Sequence, residues 1–402
     1  MKEVVILGAG YAGLRALHVL QGAKGDFHIT LVDKNDYHYE ATDLHEVAAG
    51  TQPRERISYD IADVVRPQKT TFLQNEVATI DRQSQRIMFT DQTSLSYDYL
   101  IVALGFESES FGIPGVNENA LEMVDVDSAE TIYHHLLKQM KEYKKTQDPD
   151  LLKIVVCGAG FTGVELLGSL VENRKEFAEI AGVQSEEIKL FCVEAVTRLL
   201  PMFDENLSAY GINNLVKWGV EFLTGKPIKE IKPGVVVYQT DAETGATEEL
   251  SAKTIIWTTG VSGSHVMADS NYAARRGRVM VNQDLSDPEH SNVFVVGDVS
   301  AVMDPATNRP YPTTAQIALK MGYQAAKNCL HLIKGEKTED FHFESLGSVA
   351  SIGNTHAFGL VGKMPVKGYP ASFVKKAIMD RSLFLTGGDK EVLAKGRFDF
   401  YH

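Results

Sequence analysis

The stretch Val4-Val5-Ile6-Leu7-Gly8-Ala9-Gly10-Tyr11-Ala12-Gly13, running on into the helical pattern of Leu14 to Leu20, decides the fold. An apolar strand meets a glycine turn and then a helix. The first glycine permits the turn, the second lets backbone approach a pyrophosphate, and the third lets helix pack on strand, with phosphates at the helix N-terminus. His28 to Val32 reads as the next strand and ends on Asp33, twenty residues after Gly13. An acid there accepts from a ribose hydroxyl. A glycine-rich turn beside an unrelated surface acid is the rival reading, and strand context and spacing both stand against it.

The pattern returns. Lys153 to Cys157 reads as a strand leading into Gly158-Ala159-Gly160-Phe161-Thr162-Gly163 and a helix that begins Val164-Glu165-Leu166. Arg174 to Glu187 reads as inserted helix and loop before the strand Lys189 to Val193, which ends on Glu194. A carboxylate there repels a 2′-phosphate, so the spacing points to NADH rather than NADPH. Arg198 lies close enough to soften that preference, and a solvated strand-end acid is the other reading of Glu194. Two apolar strands stop at glycine, Tyr99 to Gly105 and Thr254 to Gly260, and both read as returns to a nucleotide domain. Asn292 to Asp298 reads as a buried strand delivering an Asp at its carboxyl end, where ligands bind in open α/β sheets. Asp298 is a candidate for holding a ribityl or phosphate-linked hydroxyl, or an ordinary helix N-cap.

Composition narrows the classes. The 402 residues suffice for two or three packed domains, and 44% hydrophobic content is ordinary for a globular chain. A formal net charge of -13 argues against nucleic acid as a partner, since phosphate must be neutralised by clustered Lys and Arg. Cys157, Cys192 and Cys329 are too dispersed for a disulfide framework or a metal cluster, so no metal is expected and a reducing cytoplasmic compartment fits. The opening Met1-Lys2-Glu3 runs straight into a strand without a cleavage pattern, and no window reaches the roughly 20 apolar residues of a membrane span. Any meeting with a membrane is expected from the side.

Two GxGxxG units, two strand-glycine returns and a late Gly-Asp segment resemble the two-dinucleotide-binding-domain flavoprotein family, over roughly residues 1 to 335. The resemblance implies an α/β fold with two Rossmann-like domains: a discontinuous FAD domain over 1–115 and 288–335, and an inserted NADH domain over 116–287. Phe111-Gly112-Ile113-Pro114-Gly115 is the expected hinge. A small C-terminal region, 336–402, is expected to face a membrane. The family's thiol-dependent members need a cysteine or cysteine pair beside the flavin, and residues 36 to 60 contain no cysteine.

The chain is most similar to the bacterial type II NADH dehydrogenases, the single-subunit NADH:quinone oxidoreductases. Four segments carry this: Gly8 to Gly13 with Tyr11; Asn35-Asp36-Tyr37-His38-Tyr39-Glu40-Ala41-Thr42; Gly158 to Glu165; and Pro310-Tyr311-Pro312-Thr313-Thr314-Ala315-Gln316-Ile317-Ala318. The resemblance implies FAD contacts at Gly8, Gly10, Tyr11, Ala12, Gly13, Asp33, Lys34, Thr42, Val77, Ala103, Gly105, Asp298 and Ala315. It implies NADH contacts at Gly158, Gly160, Gly163, Glu194 and Gly260. Glu165 is expected near nicotinamide and flavin, or is a first-turn acid favoured by the helix dipole. Gln316 is expected on the quinone side, sharing a helix face with Lys320. Where the family carries a further glutamine, this chain reads Leu319-Lys320-Met321-Gly322.

Lys363 to His402 holds eight Lys or Arg against four Asp or Glu, on a chain whose net charge is -13. Phe373, Ile378 and Leu385 among Lys375, Lys376 and Arg381 suit a basic amphipathic segment on anionic headgroups. A basic face packed on the acidic main body explains the same charges. The expected activity is electron transfer from NADH through FAD to a menaquinone-like acceptor at the cytoplasmic membrane surface, without proton pumping, by a chain that is monomeric or a homodimer. A soluble NADH diaphorase or ferredoxin-type reductase, and a flavin-binding redox sensor, are the rivals.

Overall fold

A computed structural model of the chain describes residues 1–398; the last four residues of the 336–402 region lie outside the described residues. Two five-stranded parallel sheets form the frame. The first runs in the order Val293–Val295, Tyr99–Val102, Lys2–Leu7, Phe27–Asp33, Thr70–Gln74, and the second Leu121–Glu122, Thr254–Trp257, Lys153–Cys157, Lys189–Glu194, Val220–Thr224. Their strands are near-continuous Val, Ile and Leu runs because helices or loops cover both faces, as parallel sheets require. In each sheet a glycine-loop strand occupies the middle, with Leu7 paired to Val32 and Cys157 to Val193 at the carboxyl ends. Those ends are where such sheets bind ligands.

The chain crosses between the two sheets near 106–115 and returns near 257–263. The two crossings pair with each other as an antiparallel ribbon, Phe106–Ser108 against Val261–Gly263. Phe111, Gly112 and Gly115 in the expected hinge all have positive φ, giving the sharp turns that end the first crossing.

The expected domain limits need two corrections. Val266, Met267, Tyr272, Val279, Val281 and Leu285 are buried in the core of the first sheet, so 116–287 extends past the second sheet's core by more than twenty residues. In the opposite direction, helix Leu44–Ala49 leaves the first segment to bury Leu44, Val47 and Ala48 in the second core, against helices Val126–Thr146 and Phe161–Ala181. Hydropathy reports that such residues are buried, and not in which core.

The C-terminal region is a three-stranded antiparallel sheet, Gly347–Ser351, Ala357–Val361 and Met364–Gly368, followed by helix Tyr369–Lys395 with a kink at Gly388. Ala350, Ile352 and Phe358 enter the second core while the last helix packs on helix Tyr11–Gly22 of the first. The region therefore spans both halves of the molecule. Among the described residues no helix is long and apolar enough to cross a membrane.

Candidate functional site

At the first loop Gly8 has φ +98, and a Cβ there would strike the Ala103 carbonyl oxygen. One at Gly13 would strike the carbonyl of Gly8, whereas Gly10 faces open space. Gly10 heads helix Tyr11–Gly22 with no side-chain cap. Its uncapped first-turn N–H groups leave an anion-binding helix end. Asp33 accepts from Ala9 N–H at 2.7 Å through one oxygen and from Asn35 N–H at 2.8 Å through the other. Burial pushes its pKa up, against the pull of those two N–H groups.

Around this loop the predicted residues assemble unevenly. The Tyr11 hydroxyl lies 3.2 Å from the Thr42 hydroxyl and accepts from Thr42 N–H. Val77 is buried, and Lys34 is exposed just past the carboxyl end of strand Phe27–Asp33. Gly105, with φ +71, meets open space, and Ala315 opens helix Ala315–Ile333 behind the Thr314 cap. Asp298 accepts no hydrogen bond among the described residues, so it caps nothing. Burial pushes its pKa up to about 6, with Arg278 pulling the other way. It borders a cavity of about 350 Å³ lined by Val261, Gly263, three arginines and Thr313. A half-buried carboxylate without a donor, facing space, fits a hydroxyl-bearing ligand.

The second loop repeats the first. Gly158 has φ +108 and its Cβ would strike the Thr259 hydroxyl, one at Gly163 would strike the Gly158 carbonyl, and Gly160 is open. Glu194 accepts from Ala159 N–H at 2.7 Å and Val196 N–H at 3.0 Å. Arg198, which was expected to soften the preference for NADH, donates to the Phe203 carbonyl at 3.3 Å. Gly260, with φ +72, lies against Phe111, closing the loop's far side. Both sets of residues fit a dinucleotide pyrophosphate with an acid at its ribose.

Glu165 lies one turn into the second loop's helix, buried, and accepts from Lys375 Nζ at 2.8 Å and from Ser351 N–H at 3.0 Å. Burial alone would raise its pKa, but Lys375, His45 and the Ser351 N–H outweigh that and hold it below its ordinary value. Ser169, four residues on and so on the same helix face, hydrogen-bonds His45 Nδ1 at 2.9 Å, leaving a buried Nε2 without a partner. Next to this lies a second charged cluster: Arg397 pairs with Asp43 at 3.4 Å and with Glu46. Burial, less the attraction of Arg397, pushes Asp43 up to about 6.

These partners correct the reading of the last helix. Lys375 and Lys376 were expected to face headgroups; Lys376 is buried and Lys375 holds Glu165. Lys390 pairs with Asp63. The basic face thus packs on the acidic body, while Phe373, Ile378 and Phe384 stay exposed with Arg381. Lys375, Ser351, His45 and Arg397 were absent from the predicted site. The available signal, for His45 alone, was the density of titratable groups in Tyr37 to Glu46.

Gln316 donates to the Gly347 carbonyl at 3.3 Å and accepts from Leu346 N–H at 2.9 Å, so its amide is held by the C-terminal sheet. Lys320 is exposed. The departures from the family motif have a packing reason: Met321 sulfur accepts from Gly297 N–H at 3.4 Å, and a Cβ at Gly322 would strike the Ala12 carbonyl. Both residues seat their helix against the first glycine loop.

Two parallel sheets, each with a glycine loop and an acid fastened to it, define an oxidoreductase architecture with two dinucleotide cradles. Residues 2–322 match the pyridine nucleotide-disulphide oxidoreductase family. Proteins named Type II NADH:quinone oxidoreductase from Staphylococcus aureus strains MSSA476 and NCTC 8325 are 40% identical over 401 residues, 99% of either chain. A structure of NDH2 from Plasmodium falciparum in complex with NADH superposes with a TM-score of 0.86 at 19% identity, covering 100% of both chains. The sulfide:quinone oxidoreductase of Aquifex aeolicus gives a TM-score of 0.78 at 21% identity, covering 100% of this chain and 96% of that one. The chain belongs to the pyridine nucleotide-disulphide oxidoreductase family and, within it, to the type II NADH:quinone oxidoreductases.

Proposed function

We propose that this chain transfers two electrons from NADH through a bound FAD to a menaquinone-like quinone, at the cytoplasmic face of the membrane and without pumping protons. The observation that carries this reading is the duplicated cradle, with an acid fastened to each loop. FAD, when bound, supplies the two-electron carrier between donor and acceptor. The first cradle is assigned to it: Gly8, Gly10 and Gly13 admit the pyrophosphate, Asp33 takes the ribose, and Asp298 a ribityl hydroxyl. Lys34, Thr42, Val77, Ala103, Gly105 and Ala315 complete its surroundings. NADH is assigned to Gly158, Gly160, Gly163 and Gly260, with Glu194 refusing a 2′-phosphate.

Glu165, kept ionised by Lys375, is assigned to the nicotinamide end. Gln316 is assigned to the acceptor side, where it holds the 346–347 segment in place. The exposed Tyr369, Phe373, Ile378 and Phe384 with Arg381 give the last helix, beside Lys367 of the preceding strand, a surface suited to lying on headgroups. Purified protein is expected to show flavin absorbance and to reduce menaquinone with NADH faster than ubiquinone, ferricyanide or oxygen. Protein without flavin, or flavoprotein that oxidises NADH but reduces no quinone, sinks the reading. A Gln316→Ala variant whose flavin is no longer reduced by NADH, yet still passes electrons to quinone once reduced by dithionite, would reverse the placement of the two substrates.

A further inference from the structure

A second cavity, of about 400 Å³, is lined by none of the glycine-loop residues. It lies between helix Phe161–Ala181, the end of helix Glu205–Lys217 and the turn 352–356. Two cations face it, Arg174 and Lys217, and neither has an ion pair or hydrogen bond with the described residues. This sets them apart from Lys375, Lys390 and Arg397, each held by a carboxylate. Gly219, with φ +90 and no side chain, leaves room for the Arg174 guanidinium. The carboxylate present, Glu172, accepts from Asn354 N–H at 3.0 Å.

One wall is aromatic. The Trp218 ring meets His356 edge-on at 5.5 Å, and His356 in turn lies 5.1 Å from the ring of Tyr369. Tyr369 is 62% exposed and begins the apolar row that Phe373, 56% exposed, continues one turn along the last helix. An anion-attracting recess therefore opens beside an apolar surface, with a tryptophan at the border. Trp is favoured where one end of a site is apolar and the other wet.

We propose that this cavity binds a phosphate ester, supplied by the headgroup of an anionic phospholipid, with Arg174 and Lys217 on the phosphate and Trp218 and His356 against the glycerol. The proposal rests on the membrane-surface reading, since the lipid's chains would run along Tyr369 and Phe373. It makes the recess a lipid-selective clamp separate from the nucleotide cradles.

Trp218 and Trp257 are the chain's two tryptophans, and Trp257 is buried with its indole N–H on the Glu109 carbonyl. In the FAD-bound Trp257→Phe protein, emission therefore reports on the recess alone. We would titrate it with phosphatidylglycerol vesicles, phosphatidylcholine vesicles and sn-glycerol 3-phosphate, and repeat with Arg174→Gln/Lys217→Gln added. The expected result is a shift of Trp218 emission on phosphatidylglycerol, with affinity falling about five-fold for each cation removed, and no such fall on phosphatidylcholine. Saturation by glycerol phosphate in a chain that binds no vesicle keeps the phosphate site and sinks the membrane reading. Vesicle binding with Trp218 unmoved, or unchanged by the double variant, keeps the membrane reading and overturns the site. No response to any of the three overturns it as well.

Discussion

Aligned glycine for glycine, the two loops diverge one turn into their helices, where the first carries Arg15 and the second Glu165. Arg15 is half-buried and stacks over the Tyr323 ring at 5.2 Å, while Glu165 is buried against Lys375 at 2.8 Å. The cradles themselves match down to the N–H groups that hold each acid. The cradle's shape is thus a local property of strand, turn and helix, whereas the charge beyond it is chosen by whatever packs on the helix. Helix Ala315–Ile333 and the last helix pack on the first, whereas residues 44–49 and strand Gly347–Ser351 cover the second, with Lys375 reaching in from the last helix.

The sharpest way to break this contrast is to delete one partner on each side. Lys375→Met strands a buried carboxylate and is expected to cost about 3–5 kcal/mol in urea unfolding. Arg15→Met, at a partly solvated stack, should cost under about 1 kcal/mol. Equal losses would mean the two positions are equivalent after all. The pH dependence carries the same information with a definite sign. Glu165 is held below its ordinary pKa, so its contribution is present above the usual carboxylate range and is lost as pH falls through the folded value. Lys375 loses charge to burial but gains more from Glu165 and Asp43, so its pKa is raised and its contribution disappears only as pH rises through that value. The penalty of Lys375→Met should therefore be widest near neutrality and shrink in acid.

Next in size are the collisions. Gly13→Ala and Gly163→Ala each push a methyl into a loop carbonyl, at about 1–3 kcal/mol. Gly13→Ala should purify with little flavin, and Gly163→Ala should keep its flavin yet lose NADH oxidation. Flavin loss from both would undo the assignment of the cradles. Smaller still, Glu194→Gln should improve NADPH use relative to NADH about ten-fold, or about 1.4 kcal/mol, in paired kcat/KM measurements. Asp33→Asn should leave that ratio alone.

A small effect, of opposite sign, concerns Asp298. Burial raises its folded pKa to about 6, so its ionisation destabilises the flavin-free chain progressively as pH rises from the unfolded value toward 6. Flavin-free Asp298→Asn should be about 1 kcal/mol more stable than its parent at pH 7, discounted for partial exposure, and no more stable at pH 4. Its flavin retention should be poorer.

How much of this was legible in the sequence follows from the range of each interaction. Gly8, Gly10, Gly13 and Asp33 act within one strand-turn-helix unit, so their spacing announces them, and the second unit does the same. Glu165 and Lys375 stand 210 residues apart, and nothing in either neighbourhood points to the other. Hydropathy misled at the last helix because buried ion pairs invert it: Lys375 and Lys376 turn inward, and Phe373 and Ile378 turn out. Residues 44–49 read as part of the first unit for the opposite reason, since an apolar helix looks the same whichever core receives it.

The last helix also imposes an order in time. Lys375 and Arg397 are synthesised long after Glu165, Asp43 and Glu46, the acids they neutralise. Domains fold as units, N-terminal first, during synthesis. A nascent chain therefore holds both sheets with three acids uncompensated, and the region between them stays hydrated and open. Arrival of the last helix closes it, so a chain cut short before Lys375 would keep its two parallel sheets and lack a finished interior.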